Sequence, residues 1–238
     1  MARRVVTRSE ILDATARTLE RRRIDDVSMS DIAAGAGVSK GLLYLRFADR
    51  EDLIRALIDR EFRATLIATH AAIDSDVDGG LLSRAYVHTI SALRSRPLLF
   101  RLYTGQADDL AAFVRSQPPE RYAPRVAAGH RYVAAMKESG MIRTDLGGRL
   151  GTVLSAFAIG VAAGAANLDV DEVVAGLSLF IAAGIDAEVS DTTPGKEAFA
   201  TLVNDLLACV PDPTALDQVP ARQATTVYGE TSIGGRTT

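Results

Sequence analysis

Few residues in this chain have the types and spacing that chemistry needs. The three histidines, His70, His88 and His130, show no i,i+4 pairing with one another, so no two imidazoles share a helix face for a metal. Cys209 is the single cysteine. It excludes an internal disulfide and a cysteine-based zinc site, and reads as a small buried hydrophobe. No G-x-S-x-G is present to set a serine on a nucleophile elbow. Gly35, Gly37 and Gly41 imitate a dinucleotide fingerprint, but the third glycine is one place late and no strand precedes it. Neither catalysis, a metal nor a cofactor is expected.

The chemistry that remains is recognition by a surface. Asp31 to Phe47, DIAAGAGVSKGLLYLRF, reads as two short helices joined by a tight turn, with Ile32 and Ala33 inward on the first and Leu43 and Phe47 inward on the second. Gly37 stands where the chain must leave the first helix in a left-handed conformation, and Val38 plugs the angle between the two. Ser39 is the N-cap of the second helix. At about 100° of rotation per residue, burying Leu43 and Phe47 leaves Gly41, Leu42, Tyr44 and Leu45 outward, with Lys40 on the flank. A helix with a small residue near its start can approach the DNA major groove closely, and its free N–H groups suit phosphates. Tyr44 is placed to reach a phosphate oxygen. Leu42 and Leu45 either pack on thymine methyl groups, favouring an A·T-containing half-site, or lie against sugars or core.

Residues 7 to 53 resemble the DNA-binding domain of the tetracycline-repressor (TetR) family. The resemblance is carried without a gap by Ile11-Leu12-Asp13-Ala14, Ser28, Asp31-Ile32-Ala33, Ala36-Gly37-Val38-Ser39-Lys40-Gly41, Leu43-Tyr44, Phe47 and Leu53. It implies an all-α fold, a homodimer, a palindromic operator in double-stranded DNA and a small-molecule effector. It adds Ser28 to the DNA-facing set, and Arg50, which stands where the family often has a phosphate-binding lysine. Three positions depart from the family pattern. Arg23 replaces the glycine that usually closes the first helix, so that helix must end by another geometry or hold a strained one. Gly35 lies inside a helix, at a cost of roughly 1 kcal/mol relative to alanine. Leu42 stands where the family often carries a hydroxyl.

The elements that must position this surface follow from the rest of the chain. Thr7 with Glu10 makes a capping box for a first helix burying Leu12, Ala16 and Leu19. Ahead of it, Arg3 and Arg4 form either an arm along the DNA backbone or minor groove, or a solvated terminus. Asp49 caps a long helix over residues 50–72 that joins head to body. Helices follow over 81–94, 98–103 and 108–115, then from Pro119 to Ser139, closed by Gly140. Val173, Leu177, Ile181 and Gly184 make a stripe at helical spacing on a later helix, and residues 196–210 form an amphipathic one. We expect a DNA-binding domain over residues 1–50, an effector-binding and dimerisation domain over 51–210, and a disordered tail over 211–238.

Charge supports this division. Residues 1–50 hold ten Lys or Arg against seven Asp or Glu, a balance of +3, which leaves −6 for the remainder of a chain whose net charge is −3. A basic reading head on an acidic body keeps DNA from wrapping the body. Leu150 to Leu168 is uncharged and contains Gly160-x-x-x-Gly164. Its many small residues, and the lack of flanking basic residues on one side and of aromatic belts, argue for close helix pairing rather than a membrane span. Gly160, Gly164 and the stripe from Val173 to Gly184 are therefore assigned to the dimer interface, with the protomer core as the alternative. The basic N-terminus meets Glu10 and Asp13 before any apolar run, so no signal peptide is read and a cytoplasmic address is expected.

Between Leu81 and Met136 the aliphatics alternate with Tyr86, His88, Phe100, Tyr103, Phe113, Tyr122, His130 and Met136. Apolar walls with a few polar groups suit a small-molecule site, though aromatics at this spacing also build cores. The function expected is a transcriptional repressor released from its operator by a ligand. An effector-independent or architectural DNA-binding protein is the alternative, and an all-α enzyme or carrier a distant one.

Overall fold

The computed structural model of the chain describes residues 6–103, 107–143 and 169–215. Helix α1 (Arg8–Leu19) starts from the expected capping box: the Thr7 hydroxyl accepts from the Glu10 N–H at 3.2 Å, and the Glu10 carboxylate accepts from the Thr7 N–H at 2.9 Å. The helix ends before it reaches Arg23, which lies in ordinary extended backbone (φ −67°, ψ 151°) ahead of a 3-10 turn at Ile24–Asp26. The missing glycine therefore imposes no strain.

Helix α2 (Met29–Ala36) closes on Gly37 at φ 66°, ψ 31°, and the Val38 N–H reaches back to the Ala33 carbonyl at 2.9 Å. This left-handed exit is the reason for glycine there. Helix α3 (Lys40–Arg46) follows, then α4 (Arg50–Ser75), 26 residues and hence about 39 Å long. Behind these come α5 (Leu82–Arg94), α6 (Pro97–Tyr103), α7 (Asp108–Ser116), a 3-10 turn at Pro119–Arg121 and α8 (Ala123–Glu138). Gly140 closes α8 at φ 73°. Helices α9 (Val170–Gly184) and α10 (Thr193–Cys209) are the last among the described residues. Among the described residues the β-structure is one isolated bridge, Ile142 to Asp186, and no helix is long and apolar enough to cross a membrane. Leu150 to Leu168, Gly160 and Gly164 among them, lies outside the described residues, as do Arg3 and Arg4.

Two apolar cores form. The first joins Ile11, Leu12, Ile32, Leu43 and Phe47 to Leu53, Ile54 and Leu57 of α4, and extends to Leu98, Leu99 and Leu110. Thus α6 and α7 pack with the head, and the first core runs well past residue 50. The second gathers Leu66 and Ile73 of α4, Tyr132 and Met136 of α8, Ile181 of α9, and Phe199 and Val203 of α10. Helix α4 contributes its first half to one core and its second half to the other.

The start of α10 lies directly on the turn before α5. A Cβ at Gly80 would collide with the Thr192 carbonyl, and one at Gly195 with the Gly80 carbonyl. Only glycine lets these backbones meet so closely. Asp186, after α9, accepts from the Leu82 and Ser83 N–H groups at 3.0 and 3.3 Å. It supplies from a distance of about a hundred residues the cap that Leu81 cannot provide.

Candidate nucleic-acid interface

Two anchors hold α3. Leu43 is fully buried within the helix and Phe47, its C-cap, is buried just beyond it. The Ser39 hydroxyl accepts from the Leu42 N–H at 3.2 Å and starts the helix. What stands outward follows from that register: Leu45 is 82% exposed, Tyr44 is 48% exposed, and Lys40 and Gly41 lie in solvent. The Lys40 ammonium sits 5.9 Å from the Tyr44 ring centre, one turn along. Nothing lies within 4 Å of where a Gly41 side chain would begin, so that position is open to an approaching surface. Leu42 is half-buried. Of the two leucines expected outward, Leu45 is the one fully presented.

Ser28 is exposed and caps α2. Its hydroxyl accepts from the Asp31 N–H at 3.2 Å, while Asp31 accepts from the Ser28 N–H at 2.8 Å. Hydrogen bonds from the Ser28 hydroxyl and then its N–H, joined by Arg22, hold the Asp31 carboxyl well below the usual carboxylate range. This serine is thereby engaged in its own helix. Arg50, at the start of α4, is half-buried with its guanidinium 3.6 Å from Asp25. To reach a phosphate it must exchange that exposed partner, an inexpensive swap.

Behind this surface the head is latched to α6 and α7. The Ile24 N–H donates to Asp109 at 2.5 Å, and Arg101 donates to the Leu19 carbonyl at 3.0 Å. Beside the latch an open cleft of 540 Å³ is lined by Asp25, Asp49, Arg50, Asp109 and Phe113 among others.

The residues expected to line one ligand site are not brought together. Phe100 and Phe113 pack on the first core, whereas Tyr86 and Met136 belong with the second. His88 is held by Asp76, its Nε2 2.7 Å from the carboxylate. Tyr122 is half-buried with its ring 5.2 Å from the Arg125 guanidinium, Tyr103 is 44% exposed, and His130 is exposed. For Phe100, Tyr103 and Phe113 the dispersal has one cause. The α6–α7 pair turns toward the head and takes its aromatics away from α8.

On α9, Ile181 is buried in the protomer's own second core and Leu177 packs against it, with Val173 half-buried and Gly184 exposed. The same helix presents Leu179 and Phe180 to solvent, at 72% and 54% exposure. Sequence reasoning passed over these two because the i,i+4 stripe beside them is more regular.

It also passed over the buried polar groups of the body. The Tyr132 hydroxyl is buried without a hydrogen-bond partner among the described residues, as is that of Tyr86. Burial, helped by the Asp186 carboxylate, pushes the Tyr132 hydroxyl above its ordinary range, so it remains a neutral donor. On α4, Asp59 is buried against Arg125 at 3.1 Å and against Arg121, and Glu61 is buried against Arg60 at 2.7 Å and Arg96 at 3.4 Å. Acids on a charged helix look solvated in sequence, so no local signal marks these.

Comparison with known proteins agrees with this geometry. Residues 11–57 match the family of bacterial regulatory proteins called the tetR family. An HTH-type transcriptional regulator of Mycobacterium tuberculosis is 35% identical over 150 residues, 61% of this chain and 60% of that protein. The HTH-type transcriptional regulator TtgR of Pseudomonas putida is 36% identical over 53 residues, 22% of this chain and 25% of that protein. The chain thus spans about 60% of the length of the first of these relatives. A solved gamma-butyrolactone receptor (ArpA like protein) shares the fold, with a TM-score of 0.52 and 23% identity over 84% of this chain and 96% of that one. Residues 11–57 are thus a tetR-family N-terminal domain.

Proposed function

We propose that the chain is a DNA-binding transcriptional regulator, a homodimeric repressor released from a palindromic operator by a small molecule. The observation that carries the reading is the register of α3: Leu43 and Phe47 lock it to a buried core, and Lys40, Tyr44 and Leu45 stand free on its outer side. A rigid helix with an exposed face of this kind is what the major groove accepts. The head over residues 1–50 reads DNA, helix α4 carries the connection, and the body to residue 210 holds effector and pairing surfaces. The Leu179 and Phe180 face of α9, with Gly184 at its end, is the pairing surface, since exposed apolar groups on one helix suit a self-complementary contact. The effector enters the second core, where Tyr86 and Tyr132 offer hydroxyls without acceptors. A ligand with an apolar body and hydrogen-bond acceptors meets these hydroxyls.

Fluorescence anisotropy on DNA from the chain's own upstream region tests the reading. Tyr44→Phe and Arg50→Ala are expected to weaken binding similarly across operator variants and to flatten its salt dependence. A change in base preference at unaltered affinity would overturn the phosphate assignment. A γ-butyrolactone, the ligand class in the name of the solved relative, is the first compound to titrate. Linkage requires that operator DNA weaken its binding by the factor by which it weakens DNA binding. Equal affinities with and without operator would leave an effector-independent regulator in place of a ligand-released one.

A further inference from the structure

The described chain does not go slack where the last helix ends. Arg63 of α4 donates to the carbonyls of Leu207 and Val210 at 2.8 and 2.7 Å, and so closes α10. Asp212 then makes a tight turn, accepting from the Thr214 N–H at 2.9 Å and its hydroxyl at 2.7 Å. The turn buries Pro213 and aims its carbonyl at the head, where Arg8 of α1 donates to it at 2.9 Å. Polar residues between Pro211 and Ala215, expected to be disordered, are thus ordered by two arginines; residues 216–238 lie outside the described set.

Arg8 is the residue that gives this contact its reach. It is buried, its guanidinium lies 4.1 Å from the centre of the Phe47 ring, and it also donates to the Arg46 carbonyl at the end of α3. A buried cation demands acceptors, and a carbonyl held in place against it is worth more than one supplied by water. The same side chain therefore bonds to the end of the reading helix and to the segment beyond α10.

We propose that Pro211–Ala215 is a strap which fastens the last helix of the body to the reading helix through Arg8, and so presets the head for DNA. The second half of this statement rests on the DNA-binding function proposed above; the first does not. The strap is a further connection between body and head, beside the continuous helix α4 and anchored to it by Arg63. Any shift of α10 relative to α4 pulls on Arg8, and through it on Arg46 and Phe47.

The test uses the full chain carrying Asp212→Ala with Pro213→Gly, which removes the turn and loosens the backbone behind it. Arg8, Arg63 and their contacts within the head and with α10 are untouched. Hydrogen exchange followed by mass spectrometry is expected to show amides in residues 8–12 and 40–47 exchanging about tenfold faster, the loss of one hydrogen bond to a charged donor. Residues 128–136 and 199–206, in the second core, should exchange as before. Operator affinity should fall about tenfold, because the heads must then be ordered on binding. A chain ending at Val210 should behave as the double variant does, and a chain ending at Ala215 as the full chain. Unchanged exchange in residues 8–12 and 40–47, equal acceleration in the second core, or unaltered operator affinity would each overturn the strap. If the unsubstituted chain fails to bind DNA, the DNA-binding function falls, while the exchange measurement still judges the fastening.

Discussion

The head and the body solve the same problem by different means. At the starts of α1, α2, α3 and α4 the cap is a side chain next to the helix, from Thr7, Ser28, Ser39 and Asp49. In the body α9 has such a cap in Asp169, but at the starts of α5, α8 and α10 the adjacent residue offers no side-chain cap, and for α5 the cap comes from Asp186 far along the chain. The head's core is mainly aliphatic, with Phe47 at its centre, whereas the body's has tyrosine hydroxyls without partners, and arginine–carboxylate contacts tie α4 to it. A reading head must present one face at fixed geometry, and local caps with apolar packing produce that rigidity. The body, for which a ligand is proposed, has polar groups left to satisfy, and these cost stability when nothing meets them.

Asp59→Ala should break the contrast most severely. It leaves Arg121 and Arg125, both largely buried, without the carboxylate between them. A loss of about 4 kcal/mol is expected in denaturant melts, the scale for stripping one partner from a buried ion pair. A loss below about 1 kcal/mol would show that water replaces the carboxylate easily, and that the α4–α8 junction is looser than described.

Within the head, Leu43→Ala and Leu45→Ala separate fold from site. Leu43 is fully buried, so its truncation should cost about 3 kcal/mol of stability. Leu45, 82% exposed, should leave stability within about 0.5 kcal/mol and reduce operator binding instead. Thermal melts run beside anisotropy decide the matter. The opposite pattern would invert the register of α3.

The body's acid sensitivity gives a smaller effect. Burial pushes the Asp76 carboxyl up, but hydrogen bonds from Arg84, His88 and the Asp78 N–H outweigh it and bring the group from 3.8 to about 2. A depressed carboxylate stabilises the fold above its unfolded value and loses that contribution as pH falls from 3.8 through 2. The amount is on the order of 2 kcal/mol. Asp76→Asn should therefore lower stability at neutral pH and flatten the decline across that acid window. An identical acid limb in both proteins would remove Asp76 from the account.

The smallest effect is a gain. A Cβ at Gly35 would meet only the Thr18 hydroxyl, at an ordinary 3.5 Å, and the backbone there is not left-handed. Gly35→Ala is expected to raise head stability by about 0.7 kcal/mol. Calorimetry showing a decrease would mean that the α1–α2 contact is tighter than these distances indicate.

Residues 7 to 53 were legible because their signals are local: the T-x-x-E box at Thr7, the serine caps, Gly37 between two short helices, and the alternation that buries Leu43 and Phe47. Each is a contact across three or four positions, so sequence spacing is already spatial distance. The sequence also determined where the later helices run, since Pro97, Pro119 and Gly140 punctuate them. Only the tertiary structure decided which core α6 and α7 join, and hence that Phe100 and Phe113 leave the neighbourhood of Tyr86 and Met136. It alone brought Gly80 against Gly195, Asp186 to the start of α5, and Pro213 to Arg8. These contacts join residues a hundred or more positions apart, for which the periodicity of a single helix carries no information.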